Sequence, residues 1–363
     1  MKVVIFGLTV SSSWGNGHAT LWRGLSKALI RRGHDVVFFE RDAEYYSNNR
    51  DLHALEGGSL VIYPDWAAVA AQARREVAEA DVAIVTSYCP DAAAAERLVL
   101  DGARALRVFY DLDTPVTLAA LGSAAIRPAY VGPDGFAGYD LVLSYTGGPA
   151  LDQLATRLGA RRVAPLYGHV DPDLHRPAPR AVRFAADLSY LGTYAADRQA
   201  AVEALFVGPA RLRPGRKFLI GGAQYPADFP WTENIFFVRH LPPPDHPAFF
   251  SSCRLTLNVT RRAMAEMGWC PSGRLFEAAA CGAAILTDAW DGLDEFFAPG
   301  SELLVARNTQ DALAAVDLGD TELRRIAEAG RARVLAEHTS EHRARDFEAA
   351  VMAARAPVAA ESA

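Results

Sequence analysis

Short runs of consecutive apolar residues alternate along this chain with longer stretches in which apolar positions recur every three or four residues. Residues 3–8 (VVIFGL) and 35–40 (DVVFFE) read as strands buried on both faces, because neither shows the alternation of a half-exposed strand. Between them, Leu21, Leu25, Ala28 and Leu29 fall on one face of a helix over 19–32, and Gly33 stops it. A strand, an amphipathic helix and a second apolar strand predict a parallel βαβ opening. The same reading gives strands at 82–86, 106–110, 141–144 and 163–167, with helices at 67–80, 92–102 and 149–158.

Pro172, Pro177 and Pro179 then interrupt the pattern and predict a linker over 171–183. Beyond it the alternation resumes. Strands are expected at 188–191, 217–220, 235–238, 255–259, 284–287 and 303–305, and helices at 197–206, 274–281, 309–316, 321–337 and 340–355. The fold class is therefore α/β, with two Rossmann-like domains facing each other across a cleft. Their expected bounds are 1–170 and 184–338, followed by a helix over 339–355 that returns to the first domain and a disordered tail over 356–363. Ligands of open α/β sheets gather outside the carboxyl ends of the strands, so chemistry is expected there.

Composition narrows the class. A length of 363 residues suits two domains, and 50% hydrophobic with 22% charged residues suits sizeable cores. A net charge of −6 argues against a nucleic-acid partner, since phosphate backbones call for a basic face. Cys89, Cys253, Cys270 and Cys281 have neither metal-motif nor disulfide-framework spacing, which suits a reducing, cytoplasmic setting. No apolar run reaches the ~18–20 residues of a membrane span, and the first eight residues read as a strand rather than a leader.

The densest chemistry lies in residues 272–305, SGRLFEAAACGAAILTDAWDGLDEFFAPGSELLV. Ser272 and Gly273 precede a helix whose unpaired N–H groups and partial positive charge suit a phosphate. Glu277, one turn further in, can accept hydrogen bonds from a ribose diol. Arg274 in the same helix, Arg198 in LSYLGTYAADR and the Arg261–Arg262 pair supply positive charge that could clamp a diphosphate. Nearer the amino terminus, Gly15-Asn16-Gly17 precedes His18, and FYDLDTP puts Asp111 and Asp113 where a strand runs into a loop. A dinucleotide fingerprint is not met: Thr20 stands where the third glycine belongs, and the loop from Leu8 is too long.

The order of these parts resembles the two-domain GT-B glycosyltransferases, and most closely the CgeB-like group, distant relatives of glycosyltransferase family 4. GHVDPDLHRP (168–177) is similar to that family's Gly-Val-Asp motif, LSYLGTYAADR (188–198) to the opening of its donor domain, and GNGHAT (15–20) to its glycine loop. The resemblance implies transfer of a sugar from a nucleoside-diphosphate sugar, UDP-linked by family habit, with retention of configuration and no required cofactor. It implies donor contacts at Gly15, Gly17, Thr193, Arg198, His240, Leu241, Arg261, Ser272, Gly273, Arg274 and Glu277, the base being read along 238–241. Catalytic roles fall to Asp111, Asp113 and His18; an inverting enzyme would use one of the two acids as general base. Asp-x-Asp is also similar to the metal motif of the GT-A fold, but two α/β halves do not fit that fold, and no metal is expected. One departure stands out: family 4 places two glutamates eight positions apart, and the earlier position here is Trp269. A nucleotide-sugar epimerase or hydrolase on the same fold, or a non-catalytic nucleotide-sugar-binding protein, are the alternatives. The acceptor is expected among aromatic-bearing loops at 45–51, 88–91 and 114–139.

Overall fold

In a computed structural model the chain divides into two compact units. The structure describes residues 1–356 apart from 16, 103 and 123–126; the tail expected over 356–363 lies, but for Ala356, outside them. The first unit is Met1–Tyr167 together with the segment from Ser340 onward, and the second is Gly168–Thr339.

Seven parallel strands form the first unit: β1 (Lys2–Gly7), β2 (Asp35–Arg41), β3 (Ser59–Tyr63), β4 (Val82–Thr86), β5 (Leu106–Asp111), β6 (Leu141–Ser144) and β7 (Val163–Pro165), in the order β3-β2-β1-β4-β5-β6-β7. β1 lies inside the sheet because Val3, Val4, Ile5 and Phe6 are all fully buried, with Ile5 opposite Phe38 on one side and Ile84 on the other. Helix Gly17–Arg31 lays Leu21, Trp22, Leu25 and Leu29 on this sheet. The Trp22 ring meets Phe38 and Tyr110 edge-on, at 5.6 and 5.7 Å between centroids. The last helix, Ser340–Arg355, adds Ala344, Phe347, Val351 and Ala354 to the same core. Arg32 holds it there through Glu341 and Glu348, and His34 Nε2 stands 2.7 Å from Glu348.

The second unit repeats the strand order with six parallel strands: β8 (Ala186–Leu191), β9 (Phe218–Gly222), β10 (Ile235–Arg239), β11 (Cys253–Asn258), β12 (Ala284–Thr287) and β13 (Leu304–Val305), arranged β10-β9-β8-β11-β12-β13. Its core gathers Leu188, Phe206, Phe218, Ile220, Leu257 and Leu286. No described helix is long and apolar enough to cross a membrane.

Elements that differ from the reading of the sequence include the short helices Glu44–Ser47 and Arg262–Met267, which it did not mark, and four others. β3 is a half-buried edge strand, so it lacks the long apolar run that marked the others. Residues 114–122, expected as loop, form a helix in which Pro115 fills the first turn, where its missing N–H costs nothing. The helix expected to end at 206 continues to Leu212 through a wider π turn at Glu203–Val207, just before Gly208-Pro209. Proline cannot donate to the preceding turn, and a locally wider helix accommodates it. The proline-rich stretch after β10 folds into helix His246–Ser252.

Candidate functional site

In the second unit the polar groups collect after the carboxyl ends of the strands. Ser272 caps helix Gly273–Ala280, its Oγ accepting from the Arg274 N–H at 3.4 Å. The charges of two arginines reach Tyr190 in β8. Burial pushes the Tyr190 phenol up while the charges of Arg198 and Arg274 pull it back, and the same pair acts on Tyr225. Arg198 donates from Nη2 to the Thr193 carbonyl at 2.7 Å, yet its Nε is buried without a hydrogen-bond partner. Arg274 likewise keeps a buried Nη1 with no partner. Arg261 is half exposed and pairs with Asp197 at 3.1 Å, so its positive charge already has a carboxylate beside it.

Glu277 lies one turn inside the same helix. Burial opposes its charge, but His175, Arg274 and His246 together hold its carboxyl below the usual range. Burial pushes the His246 imidazole down to about 4. Asp288, after β12, accepts from the Thr260 N–H at 2.9 Å and its hydroxyl at 3.0 Å, tying the residue before Arg261 to the end of the neighbouring strand. Gly222 permits the close approach of the loops after β8 and β9: a Cβ there would sit 2.0 Å from the Gly192 carbonyl oxygen. His240 follows β10, with its N–H donating to that same Gly222 carbonyl at 2.7 Å, and Leu241 beside it is buried.

In the first unit, His18 Nε2 stands 3.4 Å from Asp113 Oδ2, both side chains partly exposed. Tyr88 packs beside them, its ring 5.6 Å from His18 and 5.1 Å from Tyr130. Asp111 is placed differently from Asp113. Its carboxylate is fully buried; Oδ1 accepts from the Asp113 N–H at 3.2 Å and from Thr117 Oγ1 at 3.1 Å, and Oδ2 has no partner. Burial raises it to about 6. Asp111 has no exposed surface in this structure, and through Oδ1 it shapes the turn that presents Asp113, the partly exposed acid of the two.

The loop after β1 is held by Glu40, the last buried residue of β2. This carboxylate accepts from Thr9 Oγ1, the Val10 and Ser11 N–H groups and Ser11 Oγ, all within 2.9 Å. An acid at that position reads the ribose in a dinucleotide-binding sheet; here the chain's own loop occupies it. Gly15 needs its left-handed φ of 59°, whereas a Cβ on Gly17 would meet nothing within 4 Å. Asn16 between them lies outside the described residues.

Sequence reasoning passed over His175, Tyr190, Tyr225, His246 and Asp288, and it marked Tyr88 only as part of an expected acceptor loop. Backbone strain would have marked the right loops. Among the described residues the non-glycine residues with positive φ are Tyr88 (62°), Gln224 (64°), His240 (49°) and Trp269 (45°); the first three sit in loops that follow a strand's carboxyl end, and Trp269 lies between helices Arg262–Met267 and Gly273–Ala280. Such conformations cost of order 1–3 kcal/mol and cluster where function is built. Trp269 is fixed by its N–H to the Asp291 carbonyl at 2.7 Å and its indole N–H to Glu295 at 2.5 Å.

Comparison with known proteins gives this geometry a setting. Residues 198–349 match the family model described as glycosyl transferase-like. Across 97% of the chain the structure is similar to HepE from Anabaena, solved with UDP and glucose (TM-score 0.69, 14% identity, 99% of that chain). It is similar to sucrose-phosphate synthase from Thermosynechococcus elongatus (TM-score 0.65, 14% identity, 96% of this chain and 97% of that one). It is also similar to an α-glucosyltransferase solved with UDP (TM-score 0.70, 11% identity, 97% and 100%). The fold is GT-B. No curated protein matches the chain by sequence. The two sheets of this GT-B chain, each in the order expected for a Rossmann-like domain, are those of the glycosyltransferases to which it is similar.

Proposed function

We propose that this chain, a glycosyltransferase by its fold and by the match of residues 198–349, transfers a sugar from a UDP-sugar to a hydroxyl acceptor with retention of configuration. One observation carries the donor assignment. Arg274 in the first turn of a capped helix and Arg198 after β8 both act on Tyr190, and each has a buried guanidinium nitrogen that lacks a partner. A diphosphate supplies the acceptors those nitrogens lack, and it gains charge as the sugar leaves, when fixed positive groups help most. Glu277, its carboxyl held below the usual range beside His175 and Arg274, accepts from the ribose diol. The uridine is suggested by the UDP in the HepE and α-glucosyltransferase structures.

On the first unit, Asp113 with His18 is the pair that acts on the acceptor hydroxyl, by orienting it or by taking its proton. Retention with a leaving phosphate needs no protein nucleophile, and the buried Asp111 leaves none beside Asp113. A thermal-shift panel of UDP, GDP, dTDP, CDP and NAD tests the donor. UDP at ~100 times its dissociation constant should add about 2.7 kcal/mol of stability. Glu277→Gln should weaken UDP by roughly 10- to 100-fold, the worth of a charged hydrogen bond. Unchanged UDP affinity in that variant, or stabilisation by NAD alone, would overturn the assignment.

A further inference from the structure

Three potential metal ligands from separate parts of the second unit meet around Glu277. A ring nitrogen of His175, a ring nitrogen of His246 and a carboxylate oxygen of Glu277 all lie within 4.8 Å of one another. His175 precedes β8, where its N–H donates to the Asp171 carbonyl at 2.9 Å. His246 opens helix His246–Ser252, and Glu277 sits in helix Gly273–Ala280. The two imidazoles are not stacked: their centroids are 6.4 Å apart and their planes meet at 41°. His175 is 7% exposed, and its Nδ1 is buried with no hydrogen-bond partner. A buried polar atom without a partner calls for an explanation, a missing ion or water foremost.

We propose that His175, His246 and Glu277 bind a divalent cation of the zinc class and leave one coordination position open. Two imidazoles and a carboxylate are a zinc donor set, whereas magnesium and calcium take oxygen ligands. Bonds of about 2.1 Å put the donors of a tetrahedral zinc about 3.4 Å apart, so binding the ion would draw these three groups, now within 4.8 Å of one another, closer together. The ion joins the segment before β8 to two helices and fixes one carboxylate oxygen of Glu277, while the other stays available to the diol.

The cation shares Glu277 with the donor site, so the test varies the histidines. The full chain is stripped with EDTA, equilibrated with zinc or cobalt(II) and gel-filtered; metal is counted by mass spectrometry and UDP affinity is measured on the same samples. The wild-type chain should retain about one equivalent of zinc and show the visible bands of tetrahedral cobalt. His175→Ala and His246→Ala should each weaken metal binding about 10- to 100-fold with circular dichroism unchanged. Retention below about a tenth of an equivalent by the wild-type chain, or equal retention in both variants, overturns the proposal. The wild-type measurement decides alone if a variant fails to fold. Wild-type chain that binds UDP but no metal removes the cation and leaves the donor reading standing.

Discussion

At the end of β2 in the first unit, Glu40 takes four hydrogen bonds from the loop beside it. In the second, Arg198 after β8 and Arg274 in the first turn of a capped helix each keep a buried nitrogen with no partner. The strand orders correspond, so topology alone does not say which sheet takes the nucleotide. The difference in hydrogen bonding is what supports the second in the function proposed above. A carboxylate saturated by its own chain is structure; guanidinium donors enclosed and left unpaired are costly until a ligand arrives. Nor does a glycine loop mark the site, since the one before His18 leads into a helix whose Gly17 faces open space.

Substitutions can break this contrast, and the largest effect is expected where first-unit chemistry is exposed. Asp113→Asn should lower kcat by about 10²–10⁴-fold, the usual worth of general acid–base help, while UDP affinity stays within a few-fold. A turnover number within threefold of wild type would return the His18–Asp113 pair to a turn-shaping role. Next come the second-unit donors. Arg274→Ala or Arg198→Ala should cost about 10²–10³-fold in kcat and leave the affinity for uridine, which has no phosphate, unchanged. Equal losses for uridine and for the UDP-sugar would mean that the arginine supports the loop and not the charge.

Asp111 sharpens the comparison through pH. Its native pKa, raised to about 6 from the ordinary 3.8, means that the folded state holds a proton that the unfolded chain has released. Asp111 therefore favours folding fully below about pH 4, and that contribution fades as pH climbs through about 6. The loss is on the order of 3 kcal/mol. Urea titrations at pH 4 and pH 7 should show it in wild type and not in Asp111→Asn; the same slope in both would exonerate the residue. The smallest effect belongs to the surface. Arg32→Ala should cost at most about 1 kcal/mol, because the Arg32 pairs with Glu341 and Glu348 are partly solvated. A larger loss by urea unfolding would make those pairs, and not the apolar contacts of Phe347 and Val351, the main tie of the last helix.

Much of the fold was legible because buried parallel strands carry their own mark. β4 and β6 fall on the residues the apolar runs indicated, and helix Pro149–Leu158 is bounded by Pro149 and Gly159 as its sequence suggests. β3 was missed because an edge strand need not be apolar throughout. The site was legible only in part. Helix starts and arginines are visible as residue types, whereas burial is not: spacing alone treats Asp111 and Asp113 alike, and tertiary packing encloses one and leaves the other partly open. The meeting of His175 with His246 has no local signal, because it is made by packing between distant segments.

The return of helix Ser340–Arg355 to the first unit has a consequence for synthesis. Chains emerge from the ribosome amino end first, at about 5–20 residues per second, and domains fold as units. The second unit, continuous from Gly168 to Thr339, has every residue it needs before the first unit does. The first seven strands, though made earliest, wait for Ala344, Phe347 and Val351 to complete the core that Trp22 and Leu25 share. The unit translated first is thus completed last. Its apolar helix-packing face stays open for the tens of seconds that the intervening residues take to appear, the interval in which a chaperone would have most to protect.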